Sequence, residues 1–360
     1  MADTTDTYVT LPEVGAPAGE LLRVKDLTVK FPTEDGVVQA VRGVDFTLHE
    51  REVLGIVGES GSGKSVSAMA IMGLLPKSAR ITGEVYFRGD DILTMRAREQ
   101  RDLRGKKIAM VFQDPMTAFN PVYTIGDQLA EAVLAHELMP RKQAMARAEE
   151  MLALVGIPQP KERLHNYPHE FSGGMRQRAM IAMAIINNPD IIIADEPTTA
   201  LDVTVQAQIL ETIIEVKDAV NAALILITHD LGVIAGTADR VLVMYAGKPV
   251  EIAATDPLFE QTRMPYTAGL LGSIPALEES AGAGERLRPI TGAPPSLITL
   301  PAGCPFSPRC PLASDICHVE EPKLLGTDDP DHVAACHHWQ KLAAVDDPTL
   351  FFRTESEVVR

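Results

Sequence analysis

The chain has 360 residues, 46% of them apolar, and a formal charge of -16 at pH 7. That length accommodates one sizeable α/β core with an appendage, or two ordinary domains, so a buried core is assured. The carboxylate excess argues against a surface built for nucleic acid, because phosphate neutralisation needs clustered Lys and Arg.

Residues 1–20, MADTTDTYVTLPEVGAPAGE, lack the basic start and apolar stretch of a secretory signal and read as a polar tail. LLRVKDLTVKF (21–31) and VVQAVRGVDFTL (37–48) alternate like strands around the turn-like PTEDG, and predict an antiparallel β edge. VLGIVG (53–58) is a continuous apolar run, followed by a glycine-serine loop and the helix-like VSAMAIMGLL. Residues 92–170 have helical spacing and many charges, and read as a mainly helical insertion. IIIAD (191–195) and ALILITHD (223–230) are further buried-strand candidates, separated by the helical VTVQAQILETIIEVKDAV. Strands alternating with helices imply a parallel sheet. The longest apolar windows, VSAMAIMGLL and AMIAMAII, fall well short of the roughly 20 residues a bilayer demands.

After residue 251 the texture changes: one or two short helices in DPLFEQTRMPYTAGLLGSIPALEE, then a Gly- and Pro-rich stretch. Residues 252–360 therefore predict a small irregular subdomain held by turns rather than by a large core. It contains all four cysteines, Cys304, Cys310, Cys317 and Cys336, spaced C-x5-C-x6-C-x18-C. In a chain without an export signal, metal ligation or redox chemistry is favoured over a structural disulfide. A zinc ribbon normally shows paired C-x2-C knuckles, which are absent; four thiolates can also bind a 4Fe–4S cluster, whose ligation tolerates irregular spacing, and reduced unliganded or disulfide cysteines are a third reading. His318, His332, His337 and His338 stand close enough in sequence to keep Zn²⁺ as the alternative.

The chemistry concentrates at Gly58, Glu59, Ser60, Gly61, Ser62, Gly63, Lys64 and Ser65, which fit G-x-x-x-x-G-K-[ST] between a strand and a helix. Glycines let backbone N–H groups converge on phosphate oxygens, and the helix amino terminus adds partial positive charge. Lys64 is expected to reach the β- and γ-phosphates of ATP, and the Ser65 hydroxyl to ligate Mg²⁺. The strand IIIAD ends in Asp195, followed at once by Glu196, matching a metal carboxylate beside a group that directs the attacking water.

Five ordered segments across residues 21–251 make the chain resemble the ATP-binding subunits of ABC transporters: GESGSGKS, Gln113 in VFQDP, FSGGMRQR, IIIADEP with TALD, and His229 in ITHD. The resemblance implies a P-loop NTPase of ABC type, with a mixed sheet core, an antiparallel β edge and a helical subdomain. It implies that Gln113 contacts Mg²⁺ or the lytic water, that Glu196 is the general base, and that His229 hydrogen-bonds the γ-phosphate. Phe31, 27 residues before Gly58, would stack on adenine. Ser172, Gly173, Gly174 and Asp202 would act on the site of an opposite subunit. Phe171 and Met175 depart from the family's commonest LSGGQ signature, leaving the Ser and Gly groups in place.

Beyond residue 251, MPYTAGLLGSIP, ITGAPPSL, AGCPFSPRC and HVAACHHW resemble the oligopeptide, dipeptide and nickel importer branch, with Met264 where that branch often has His. This implies ATP hydrolysis coupled to peptide import, at the cytoplasmic face of the cell membrane. The implied partners are a second homologous ATPase in a heterodimer, two membrane permeases and an extracytoplasmic solute-binding protein, with no nucleic acid. It also implies the 4Fe–4S cluster on Cys304, Cys310, Cys317 and Cys336, as a structural staple. Import of nickel or another small solute, and a cytosolic ABC-type ATPase of DNA repair or translation, are the alternatives.

Overall fold

The computed structural model describes residues 19–199, 202–274 and 290–352. Most of the polar tail, Ala200 and Leu201 of TALD, and residues 275–289 of the Gly- and Pro-rich stretch lie outside the described residues. Strands β1 (Glu20–Thr33) and β2 (Gly36–His49) form a long antiparallel hairpin closing at Thr33 and Gly36. β3 (Val53–Val57) is buried at every position, as a continuous apolar run in a parallel sheet should be, and α1 (Lys64–Ile71) follows its glycine loop. β4 (Arg80–Phe87) and β5 (Asp90–Asp91) join the hairpin in a four-stranded antiparallel sheet, order β2-β1-β4-β5.

Within the span read as mainly helical, α2 (Ala97–Leu103) precedes a buried strand, β6 (Ile108–Val111), which enters the central sheet. Four apolar residues carry too little period to separate a strand from a helix, which is why the sequence did not announce it. Helices α3 (Pro115–Ala118), α4 (Ile125–Leu134), α5 (Arg141–Leu154) and α6 (Pro160–Arg163) complete that span. There follow α7 (Gly173–Ile185), β7 (Ile191–Asp195), α8 (Val203–Val220), β8 (Ala223–Thr228), α9 (Leu231–Ala235), β9 (Arg240–Tyr245) and β10 (Lys248–Ala254).

β9, β3, β8, β7 and β6 lie side by side and parallel. Alternate residues of these strands feed two cores. Leu54, Ile56, Ile193 and Ile225 pack toward the antiparallel sheet and α1. Val53, Val57, Ile192 and Leu226 pack toward α4, α5, α7 and α8. The central layer is thereby covered on both faces, which holds the carboxyl ends of its strands in fixed positions.

The last part holds α10 (Thr255–Glu260), α11 (Pro265–Leu271), α12 (Asp315–Val319), β11 (Leu325–Gly326), β12 (Val333–Ala334) and α13 (Trp339–Ala343). It does not stand apart on turns as expected. β12 pairs antiparallel with β10, Glu251 with Ala334 and Ile252 with Val333, extending the main sheet to β11-β12-β10-β9-β3-β8-β7-β6. Tyr266, Phe306 and Ala335 belong to the same apolar core as Val53 and Val243. The joining residues are scattered singly among Pro, Gly and Cys, so no period in the sequence reveals them.

Candidate active site

The loop from Gly58 to Ser65 joins β3 to α1, and its shape depends on glycine. Gly58 and Gly63 have φ of 150° and 102°, and a Cβ at either would collide with a backbone carbonyl, Met244 at the first and Ala40 at the second. Ser60 and Gly61 form the exposed lip, while Ser62 and Lys64 are buried. The Lys64 ammonium folds back across the loop, donating to the Gly58 carbonyl at 2.6 Å and the Glu59 carbonyl at 3.1 Å. Burial lowers its pKa, opposed by the charges of Glu196, Asp195 and Glu59. The Ser62 hydroxyl is buried without a hydrogen-bond partner. A glycine cradle, a buried ammonium and an orphaned hydroxyl are a donor set suited to phosphate oxygens.

Beside the loop, the parallel strands β8, β7 and β6 end together, and such ends are where α/β sheets bind ligands. Asp195, at the end of β7, accepts from the Ser65 hydroxyl at 2.7 Å. Burial raises its pKa, and the Ser65 bond pulls the other way. The two oxygens together suit a hard divalent cation such as Mg²⁺. Glu196 follows in a left-handed conformation, φ 45°, with its N–H donating to the Ile227 carbonyl at 2.9 Å. Non-glycine residues pay for such backbone, and the strain persists where neighbours over-determine it. Here it turns the carboxylate toward two neighbouring strand ends. Gln113, just after β6, donates to Glu196 Oε2 at 3.1 Å, and the Thr199 hydroxyl donates to the same oxygen at 3.0 Å. His229, after β8, has Nδ1 3.6 Å from Glu196 Oε1 and is 63% exposed, leaving room for a ligand.

Gly58 to Ser65, Asp195, Glu196, Gln113 and His229 therefore converge. Others do not join them within this chain. Ser172 caps α7, its hydroxyl accepting from the Met175 N–H at 3.3 Å, with Gly173 and Gly174 in the first turn. Asp202 caps α8, accepting from the Val205 N–H at 3.0 Å. Among the described residues, no side-chain hydrogen bond links this group to the glycine loop. Phe171, one of the two departures from the common signature, is buried in the core. Phe31 is half-buried near the end of β1, in register with Val38 of β2, the strand whose Ala40 carbonyl abuts Gly63.

Two side chains that sequence reasoning missed, Arg309 and Tyr266, also touch the loop, and a third, Tyr245, backs them. Glu59 forms an ion pair with Arg309, and its N–H donates to the Tyr266 hydroxyl at 2.8 Å. Tyr245 packs against Tyr266 with ring centroids 4.5 Å apart. The only signal was the Arg inside CPFSPRC, which spacing alone reads as filler between cysteines.

In the tail, Cys304, Cys310, Cys317 and Cys336 are unpaired and line one pocket together with His337 and His338. The Cys304 N–H donates to the Cys317 carbonyl at 2.8 Å, drawing the two loops together. Burial raises the Cys304 thiol and pushes Cys310 and Cys336 up to about 12. Among the described residues, however, no three His, Cys, Asp or Glu side chains are grouped to hold a metal ion. Three of the four histidines that would serve zinc have other partners. His332 is buried against Glu251 at 2.7 Å, His337 Nε2 lies 3.0 Å from the Glu320 carbonyl, and His338 Nε2 lies 2.6 Å from the Ser314 hydroxyl.

Fold and site together define a P-loop nucleotide-binding protein of the ATP-binding-cassette class, and comparison with known proteins narrows this. Solved structures of the cassette MJ0796, one a dimeric post-hydrolysis state bound to ADP and Pi, align with a TM-score of 0.58 at 26% identity, covering 65% of this chain and 99% of theirs. The family described as "ABC transporter" matches residues 41–199, and "Oligopeptide/dipeptide transporter, C-terminal region" matches 250–317. The dipeptide transport ATP-binding protein DppD of Bacillus subtilis is 55% identical over 300 residues, 83% of this chain and 89% of that one. The oligopeptide transport ATP-binding protein OppD of Salmonella typhimurium is 50% identical over 327 residues, 91% of this chain and 96% of that one. OppD of Mycobacterium tuberculosis is 54% identical over 317 residues, and there the chain spans about half the relative's length, 51%. The chain belongs to the family of ATP-binding proteins of oligopeptide and dipeptide ABC transporters.

Proposed function

We propose that this chain is an ATPase that drives import of dipeptides or oligopeptides. The observation that carries this is the meeting of Gln113, Glu196 and His229 at neighbouring strand ends, facing a phosphate loop whose Ser65 bonds Asp195. Hydrolysis is in-line attack of water on the γ-phosphorus of ATP: a water oxygen bonds phosphorus, the bond to the β-phosphate oxygen breaks, and ADP leaves. Glu196 takes the proton of the attacking water, and Gln113 and His229 hold that water and the γ-phosphate in line. Lys64, Ser62 and the backbone N–H groups of the loop neutralise the phosphates, and Phe31 offers a face to adenine. Ser65, Asp195 and Gln113 would hold Mg²⁺, which would supply neutralisation of phosphate charge when bound.

Ser172, Gly173, Gly174 and Asp202 stand apart from this chain's own loop, and the dimeric ADP-bound state of the similar cassette MJ0796 supports their use across a subunit interface. We assign them to the site of a second, homologous ATPase. Two permeases and an extracytoplasmic binding protein complete the importer. Phe112, Met116, Val122, Tyr123 and Leu138 are large apolar side chains left 40% to 107% exposed, which supports docking under permeases at the cytoplasmic membrane face. Among the described residues no helix is long and apolar enough to cross a membrane.

Glu196→Gln keeps the shape and removes the base, so ATP binding should persist while hydrolysis falls by about 10²–10⁴. Single-turnover hydrolysis in the assembled transporter measures this; a near-normal rate would reject Glu196 as the base.

A second reading concerns the tail. The four cysteines share one pocket without forming a single-ion site, and a single zinc would need every sulfur at about 2.3 Å from one point. A 4Fe–4S cluster distributes its four thiolates over four irons and so fits the looser arrangement better. When bound it supplies the staple that four unpaired thiols do not. Anaerobic purification followed by iron and acid-labile sulfide assay is expected to find both; zinc alone, or neither, would refute this reading.

A further inference from the structure

Glu59 puts a carboxylate in the second position of the phosphate loop, where a bound triphosphate would repel it. The chain meets this charge with a residue 250 positions away. Arg309 Nη1 donates to Glu59 Oε2 at 2.7 Å, and Nη2 donates to Oε1 at 2.8 Å. This is the two-pronged geometry that makes Arg–carboxylate pairs strong and directional. The Arg309 side chain is only 4% exposed and that of Glu59 25%, so solvent screens the pair only in part. Two further donors are engaged as well: Nε with the Thr291 carbonyl at 3.1 Å and Nη1 with the Tyr245 hydroxyl at 3.2 Å. The guanidinium carbon lies 5.9 Å from the ring centroids of both Tyr245 and Phe306. Phe306 in turn packs edge-on against Tyr266, whose hydroxyl receives the Glu59 N–H.

Both the side chain and the backbone of Glu59 are thus held from the tail. The holding residue lies between Cys304 and Cys310, at the end of the tight turn Ser307–Arg309. A mere staple between tail and core would need only apolar packing, which Tyr245, Tyr266 and Phe306 already provide. A fork closed on the one carboxylate inside the loop does something more specific.

We propose that Arg309 is a positioning residue for nucleotide binding: it neutralises Glu59 and fixes the phosphate loop in the conformation that receives the phosphates of ATP. This rests on reading Gly58 to Ser65 as the phosphate site. It also makes the cysteine loop a mechanical part of that site.

Equilibrium binding of a fluorescent ATP analogue to the full chain tests it, with thermal unfolding measured in parallel. Arg309→Gln leaves Glu59 charged and unpaired, and should weaken binding about tenfold, less so as salt rises. In the double variant Glu59→Gln with Arg309→Gln the repulsion is gone, and binding should be about threefold tighter than in R309Q. Unchanged affinity in a folded R309Q, or a double variant no tighter than R309Q, overturns the proposal in favour of a purely structural tie. If R309Q does not fold, Arg309→Lys carries the test: it keeps the charge and loses the fork, so its affinity should fall by about threefold, and no change overturns the proposal. Lys64→Ala in the same assay separates the premise: if it binds as the unaltered protein does, the phosphate-site reading itself fails.

Discussion

The phosphate site and the cysteine tail are built in opposite ways. At the first, functional groups sit where rigid strands end: Gln113 after β6, Asp195 on β7, Glu196 after β7 and His229 after β8. Their spacing follows from strand spacing, and little else is needed to hold them. In the tail the strands are two residues long and the helices about one turn, so position is set by individual polar contacts. Arg263 grips Asp328 with two bonds of 2.9 Å each. His332 meets the wholly buried Glu251, which also accepts from the Thr262 hydroxyl at 2.9 Å and from the Arg263 N–H. A chemical site can therefore be altered atom by atom on its scaffold, whereas in the tail each polar contact is itself scaffold.

That contrast can be broken by experiment. The largest effect belongs to Glu196→Gln, where hydrolysis is lost and folding is not; a large loss of stability in that variant would show that the strand-end site is also structural. Next comes His332→Ala, which strips the ring from a carboxylate with no exposure to solvent. Leaving a buried acceptor one partner short should cost about 1–3 kcal/mol, read from urea unfolding. A cost below about 1 kcal/mol would mean that the tail is not cooperatively joined to the sheet.

The smallest effect is at Asp328, whose carboxyl the Arg263 bonds hold down at about 2, below the usual 3.8. A depressed folded pKa stabilises at pH above the unfolded value, and that contribution is lost as pH falls from about 4 through 2. The side chain is 51% exposed, so solvent screening limits the gain to about 1 kcal/mol or less. In Asp328→Asn the acid unfolding curve should lose that portion of its slope. An unchanged curve would remove Asp328 from the contacts that hold the tail.

How far the sequence could be read follows the same division. The glycine loop, Asp195 and Glu196 were legible because strand, loop and helix are adjacent in the chain and each carries its own period. That Gln113 and His229 would face Glu196 needed the family resemblance, since 83 residues separate Gln113 from its partner. β6 was hidden by its length. The union of β12 with β10 was hidden because two residues have no pattern. Glu59 and Arg309 illustrate the limit most plainly: a charge pair across 250 positions leaves no local trace, and only the folded chain brings it together.

β12 has a further consequence through its place beside β10. Without it, Val250 and Ile252 would lie along an open sheet edge, with the Val250 carbonyl losing the N–H of Ala335 that it accepts at 2.8 Å. Open apolar edges recruit strands from other molecules. A shortened cassette ending near residue 254 would therefore tend to aggregate even with every phosphate ligand intact, and the tail acts as a guard over that edge.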